Sequence, residues 1–381
     1  MIEVAGYAAL ALAALPAGLG FGNLRAVRAP ESIAAAPAGI LVSILIPARD
    51  EAGNIGDALA AARASVGVPV EIVVVDDHST DGTAEVVRAH AAADPRVRLE
   101  TAPPLPTGWG GKNHACQRLA EASTGTHLLF VDADVRLAPH AAAAMAAHAQ
   151  AGGWALVSGV PRQETRTVGE LLTVPMIGFL LLSYLPIGRM RATTQPSLGA
   201  ACGQLLLVER GAYLAAGGHA AIKERIHDAL ALVYRLRAAG HRTDLVDGAG
   251  LARVRMYRGF GEAWAGFLKN AHEGMAKPVA LPVWTVLLGG GHVLPPVLVA
   301  AALLGAGPLW PPLLALVLSL GLRLAITLRT RESLWGVSLH PLAVATALAI
   351  QWTALVRALR GRPPVWKGRA FARHPTAGAV R

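Results

Sequence analysis

The chain has 381 residues, 53% of them hydrophobic and only 16% charged, with a formal net charge of +10. This is too apolar for a wholly soluble protein, and the arginines lie beside apolar segments instead of forming an aromatic-interleaved basic stripe, which argues against a nucleic-acid partner. Two cysteines, Cys116 and Cys202, are too few for a disulfide framework and lack zinc-site spacing; both read as small buried hydrophobes.

From Ile2 to Phe21 a single acid, Glu3, opens an apolar run, and Arg25 and Arg28 follow it. About 20 apolar residues span a bilayer. Because the charges follow the run, residues 1–28 are expected to be an uncleaved transmembrane anchor whose C-terminal end is cytosolic.

Residues 38–277 are expected to form a cytosolic domain. From Leu41 to about Val160, the β-rich runs "LVSILIP", "VEIVVVDD", "VRLE", "HLLFVDAD" and "ALVSGV" alternate with helical ones. Such a βαβ series predicts an α/β, Rossmann-like, mainly parallel sheet covered on both faces. Ligands of these sheets lie outside the carboxyl ends of the strands, where strand order reverses. Here those ends carry Pro47 to Glu51, Asp76 and Asp77, and Asp132 to Asp134. Neither GxGxxG nor GxxxxGK[ST] follows the first strand, so a classical dinucleotide or P-loop site is not expected.

Residues 170–191 are apolar but broken by Pro175 and Pro186, and the soluble pattern resumes after them, so they are expected to lie at the membrane interface. "KERIHDALALVYRLRAAGH" then reads as a helix with Leu230, Val233 and Leu236 on one side and Gly240 as its stop. Residues 279–359 form a C-terminal membrane region with candidate spans at 279–304, 309–328 and 341–359. "GGGH" and "PP" make the first of these read as a hairpin or a broken helix. Three full crossings would put the arginine-rich tail, 360–381, outside, against the positive-inside rule. One segment is therefore expected not to cross, leaving the tail cytosolic in a multi-pass protein of a bacterial-type inner membrane.

Two apolar runs end in paired acids, "EIVVVDDHSTDGT" and "HLLFVDADV". Adjacent carboxylates repel and resist burial, so a cation or polar ligand is expected between them. Mg²⁺ and Mn²⁺ take oxygen ligands and are commonly held by one or two carboxylates plus substrate phosphates. "STDGT" also reads as a turn followed by a helix cap, with Ser79 or Asp81 capping.

"VSILIPARDEAGNI", "EIVVVDDHSTDGT", "LPTGWGGKNHA" and "LLFVDADV", in this order, resemble the family 2 glycosyltransferases of GT-A fold. The flanking apolar segments, "RMYRGF", "KN" (Lys269, Asn270) and "GRPPVWKGR" resemble its membrane-bound carotenoid- and hopanoid-associated branch. The resemblance implies a UDP-sugar site: Asp76 or Asp77 at the uracil or ribose, helped by the turn of Pro47, Ala48, Arg49 and Glu51. It places Asp132, Ala133 and Asp134 at the sugar, ribose and metal-bound diphosphate, with Asp132 and Asp134 as ligands of Mg²⁺ or Mn²⁺ and Lys112 near the phosphates. Arg255, Tyr257 and Trp366, from the branch motifs, are assigned to the acceptor region.

The family usually opens a late helix with an acidic pair, and the matching place here reads His227-Asp228. Asp228 is expected as the base, with His227 orienting it or lining the acceptor site; otherwise Asp228 merely caps the helix. No QxxRW follows, which implies one sugar moved to one lipid acceptor with inversion, and no obligate protein partner is evident. The alternatives are a polyprenyl-phosphate sugar transferase, a polysaccharide synthase or an inactive membrane scaffold.

Overall fold

The computed structural model describes residues 2–31, 35–271, 273–361, 365–366 and 369–370. Eight strands form one sheet: β1 (Val42–Ala48), β2 (Val70–Asp76), β3 (Val97–Thr101), β4 (His127–Val131), β5 (Val135–Leu137), β6 (Leu156–Gln163), β7 (Leu205–Glu209) and β8 (Thr243–Val254). Their order is β3-β2-β1-β4-β7-β6-β8-β5. The first half, β3-β2-β1-β4, is wholly parallel as expected. The second half is mixed, because β7 runs antiparallel to both β4 and β6, and β5 runs antiparallel to β8.

Strand faces alternate, so an unbroken apolar run serves two cores. Ile44, Ile46, Ile72, Val74, Leu129 and Val131 pack beneath α2 (Ala52–Arg63), α3 (Thr83–Ala93) and α5 (Ala141–Gly152). Leu45, Val73, Val75, Leu128 and Phe130 face α4 (Gly111–Ala122), α9 (Arg210–Ala215) and α10 (Asp228–Ala238). The helix read from "KERIHDAL" therefore starts later than expected, at Asp228, because the preceding residues are drawn into a loop. It ends as expected, with Gly240 at φ 86°.

The long apolar helices gather around α1 (Ile2–Ala26). Its buried face is a stripe of small residues, Gly6, Ala9, Ala13, Ala17 and Gly20, which lets neighbouring backbones approach closely. A Cβ on Gly20 would lie 2.6 Å from Leu322 Cδ1, and one on Gly291 would lie 2.8 Å from the Leu12 carbonyl. The carbonyls at the end of α1 accept from basic side chains: Arg191 Nη1 reaches Ala26 O at 2.9 Å, and Arg329 Nη2 reaches Val27 O at 2.7 Å. Arg191 also pairs with buried Asp244 at 2.6 Å, so α1 is tied to β8.

Segment 170–191 is covered by α6 (Val168–Leu171), α7 (Met176–Tyr184) and α8 (Ile187–Ala192). Both ends return to the α/β domain, through Glu170 with Arg255 and through Arg191 with Asp244. Asn23 of α1 donates to the Leu182 and Leu185 carbonyls in between. After α11 (Phe260–Asn270), α12 (Ala280–Leu288) and α13 (Leu294–Leu303) are joined by a π-helical turn, Gly289–Val293. The expected hairpin or break at "GGGH" and "PP" is thus corrected: 280–303 is one continuous helix. The glycines allow Leu12 of α1 to pack against the widened turn, and Pro295 and Pro296 fall where that turn has already altered the hydrogen-bond ladder.

Then come α14 (Trp310–Thr330), the short α15 (Trp335–Ser338) and α16 (His340–Leu359). Four helices, Ile2–Ala26, Ala280–Leu303, Trp310–Thr330 and His340–Leu359, are long and apolar enough to cross a membrane. Most of the tail lies outside the described residues.

Candidate active site

The first two strand ends are stitched together by the residues that follow them. In register, Ala48 stands opposite Asp76. Beyond that point Asp77 N donates to Ala48 O, Asp50 N to Ser79 Oγ, Glu51 N to Thr83 Oγ1 and Ala52 N to Asp81 Oδ2. Thr80 N donates back to Asp50 Oδ1 at 2.9 Å. Asp50 and His78 both adopt positive φ, 50° and 57°, an unusual conformation for residues with a Cβ, and these contacts hold it. "STDGT" is thus mainly cross-strand stitching. The residue at the N-cap of α3 is Gly82, so neither Ser79 nor Asp81 stands at the N-cap, but Asp81 Oδ1 accepts from Thr83 N, the first amide of the helix, at 3.1 Å.

This stitching leaves Asp76 and Asp77 at the floor of the cleft, 6% and 3% exposed. Arg49 Nη1 donates to the Asp77 carbonyl at 2.9 Å and stands 3.3 Å from its Oδ2. Asp76 Oδ2 accepts from Ser79 N, while its buried Oδ1 has no hydrogen-bond partner among the described residues. A buried carboxylate oxygen left open in this way suits an incoming N–H or O–H donor.

β4 delivers Asp132, buried Ala133 and Asp134 at its carboxyl end, beside the point where strand order reverses between β1 and β4. Burial pushes the Asp134 carboxyl up to about 7, helped by repulsion from Asp132 and Glu51. Asp132 is also raised, first by burial, with the Lys112 ammonium opposing. Clustered carboxylates whose charge is costly without a counterion form a donor set suited to a hard divalent cation.

Lys112, in the first turn of α4, joins the two halves of the site. Its Nζ lies 2.8 Å from Asp132 Oδ1 and 3.1 Å from Asp228 Oδ2. Asp228 is the first residue of α10, where its Oδ1 accepts from Ala229 N at 2.8 Å. Burial, the largest single influence, raises the Asp228 carboxyl, but Lys112, His219 and the Ala229 amide together outweigh it and the net direction is down. Behind Asp228 stand Cys116 and His219, with ligand atoms of the three residues within 4.8 Å of one another. Tyr213 Oη meets His219 Nδ1 at 2.8 Å, and burial lowers the imidazole to about 4, so this wall is neutral.

The structure thus brings together every expected donor-side residue, and Asp228 with them. His227 lies beside α11 as well as Asp228, and its ring is hydrogen-bonded to the Asn270 backbone. Tyr257 packs against Phe267 at 5.4 Å between centroids and lies near Asp134. The Arg255 guanidinium is held 2.9 Å from fully buried Glu170, which secures the interfacial segment. Only the backbone of Trp366 is described, in a two-residue strand, so the expectation for its side chain lies outside the described residues. Sequence reasoning missed Asn113, whose Nδ2 donates to the carbonyls of Ile222, Lys223 and Arg225. Its only signal was its place beside Lys112 in "GGKN".

Residues 43–213, which contain every donor-side acid, match the model of glycosyl transferase family 2. The chain carries a family 2 glycosyltransferase domain. Similar curated proteins include the 4,4'-diaponeurosporenoate glycosyltransferases of Staphylococcus aureus strains USA300 and MRSA252, each 30% identical over 243 residues. Those matches cover 61% of this chain and 61% of each relative, less than two thirds of the relatives' length. Among solved structures, a mannosyltransferase from Pyrobaculum calidifontis in complex with GDP-Man and Mn²⁺ superposes with a TM-score of 0.58 at 22% identity. That superposition covers 95% of this chain and 100% of the other. The transferase domain accordingly has the GT-A fold, with apolar helices before and after it.

Proposed function

We propose that the protein is an inverting hexosyltransferase that moves one sugar from a UDP-sugar to a hydroxyl or carboxyl of an isoprenoid-like membrane lipid, with a divalent cation at Asp132 and Asp134. One observation carries this reading: a single ammonium, on Lys112, contacts both Asp132 of the donor cluster and Asp228 at the head of α10. Donor acids and base therefore face one small volume, as a displacement at a sugar carbon requires. The acceptor class is supported by the apolar segment 170–191, which packs between β8 and the long apolar helices, and by the diaponeurosporenoate in the names of the S. aureus relatives.

In this mechanism Asp76 and Asp77 hold the nucleoside, and Lys112 draws negative charge onto the leaving diphosphate. A bound Mg²⁺ or Mn²⁺ supplies further neutralisation of that charge. The acceptor oxygen attacks the anomeric carbon from the face opposite the diphosphate, whose bond breaks with its electron pair. When the acceptor is a hydroxyl, its proton passes to Asp228. The test is incubation of membranes with UDP-sugars, followed by mass spectrometry of the lipid extract. One hexose added to an apolar lipid is the expected product, and a sugar phosphate or a polymer would overturn the reading.

The packing also supports a topology in which α16 does not cross. Tyr7 and Trp310 meet at 5.3 Å where α1 and α14 face away from the transferase domain, and Gly307 lies against Ile2 there. α16 begins well short of that end. His340 Nε2 is 3.3 Å from His292 Nδ1, halfway along 280–303, and His292 Nδ1 meets Ser319 Oγ at 2.6 Å. From there α16 climbs back toward the transferase domain: Trp352 donates to Thr285, and Ala354 and Leu355 pack with Leu281 and α11. Segment 331–339 leads down to this start, fastened by the buried Arg323–Glu332 pair at 2.9 Å. Three crossings and one re-entrant segment put the tail on the side of the transferase domain, the cytosolic side by the positive-inside rule. In sealed vesicles, Leu359→Cys is expected to react with an impermeant maleimide from the same side as Arg88→Cys, and Leu304→Cys from the opposite side. Labelling of Leu359→Cys together with Leu304→Cys would rule the re-entrant arrangement out.

A further inference from the structure

We infer that Glu273 is a positioning residue that sets Asp228 by gripping the loop before it, and so couples the base to the membrane-facing helices. The inference rests on the reading of Asp228 as the base. Glu273 lies between α11 and α12, in neither the donor cluster nor the cleft wall. Its Oε1 accepts from Ile226 N at 3.1 Å and its Oε2 from His227 N at 3.0 Å.

A carboxylate that accepts two consecutive backbone amides fixes the direction in which the chain enters the next element. That element is α10, and the next residue is Asp228. Asn270, at the end of α11, adds a third hold through the His227 ring. From the donor side, Asn113 grips the same loop by three carbonyls just upstream. The loop is thus strung between the helix that carries Lys112 and a junction that belongs to the membrane region.

That junction is well seated. Leu268 and Ala271 pack with Leu281, Ile350 and Leu355 from the two neighbouring membrane-region helices, while Phe260, at the front of α11, is exposed. A helix of this kind, with aromatic residues on its apolar side, lies in the interface plane. Near its C-terminal end Phe267 packs against Tyr257, and Glu273, just beyond that end, holds the base loop. Displacement of α11 by a lipid acceptor would therefore reach Asp228 through the Glu273 carboxylate, and the "KN" motif acquires a role as part of this clamp.

The test compares full-length wild type, Glu273→Ala and Glu273→Gln in lipid nanodiscs. In Glu273→Ala, amide exchange at 226–227 is expected to quicken, and kcat for transfer to fall about tenfold to a hundredfold, the scale of a misplacement near 1 Å. Donor KM and melting temperature should hold. Glu273→Gln keeps one acceptor oxygen for the two amides and should fall between wild type and Ala in both readouts. An unchanged kcat in Glu273→Ala would overturn the inference, as would parallel losses of kcat, donor affinity and melting temperature, which mark a merely structural residue. If exchange quickens but wild type itself transfers no sugar, the transferase reading has failed and the clamp stands.

Discussion

Asp228→Asn is expected to lower kcat for transfer to a hydroxyl acceptor by about two to four orders of magnitude, the range for loss of a positioned base. Uptake of UDP with Mn²⁺ should persist. The amide keeps the side chain's shape and can still accept from Ala229 N, but it cannot take a proton, and Lys112 keeps its shorter contact to Asp132. Because Lys112, with His219 and the Ala229 amide, overcomes burial and holds the Asp228 carboxyl below its ordinary value, the group is ionised throughout the neutral range, and activity should fail only on acidification below the usual carboxylate range. Initial rates and calorimetry on the same solubilised preparation measure both halves. Transfer to a carboxylate acceptor needs no proton removed and should largely escape the loss, so the size of the effect also reports the acceptor class. Wild-type turnover of a hydroxyl acceptor by the variant would remove Asp228 from the mechanism.

Asp134→Ala should weaken Mn²⁺ binding more than about a hundredfold, exceeding the loss typical when a ligand's outer partner is removed. The physical ground is the raised carboxyl, about 7, produced by burial and by the neighbouring Asp132 and Glu51. A cation binds the deprotonated form, so affinity in wild type should drop about tenfold per unit as pH falls below that value, with proton release on binding. Stability follows with the sign opposite to that of an ordinary carboxylate. The folded, cation-free chain holds a proton that the unfolded chain has lost between the ordinary value of 3.8 and about 7, so its stability declines as pH rises through that window. Mn²⁺ should restore more melting temperature at pH 8 than at pH 5, and Asp134→Ala should flatten both trends. Calorimetry in buffers of different ionisation enthalpy, together with melting curves, decides this; a pH-independent wild-type affinity would contradict it.

The parts legible in the sequence share a physical basis. Runs such as "EIVVVDD" have the apolar continuity of strands buried on both faces, and their acids lie at strand ends where register and crossover place ligand sites. β7 and β8 were not anticipated: "LLLVE" is too short to tell strand from helix by periodicity, and "TDLVDGAGLARV" is interrupted by glycines. One of these glycines, Gly248, is required by packing, since a Cβ there would lie 2.6 Å from the Val160 carbonyl. "GGGH" misled because glycines ordinarily break helices in water, whereas here they let α1 pack against a π turn.

What the amino-acid sequence by itself determined is the class of the protein: an alternating strand and helix pattern with acids at the strand ends, flanked by stretches long and apolar enough for a bilayer. Local chemistry and periodicity suffice for that, because each signal is written within a few neighbouring residues. Only the tertiary structure decided that one lysine stands between Asp132 and Asp228, that Glu273 grips the loop ahead of Asp228, and that α16 starts halfway down the bundle. These are contacts between residues far apart in the chain, set by how helices pack rather than by what any segment prefers alone.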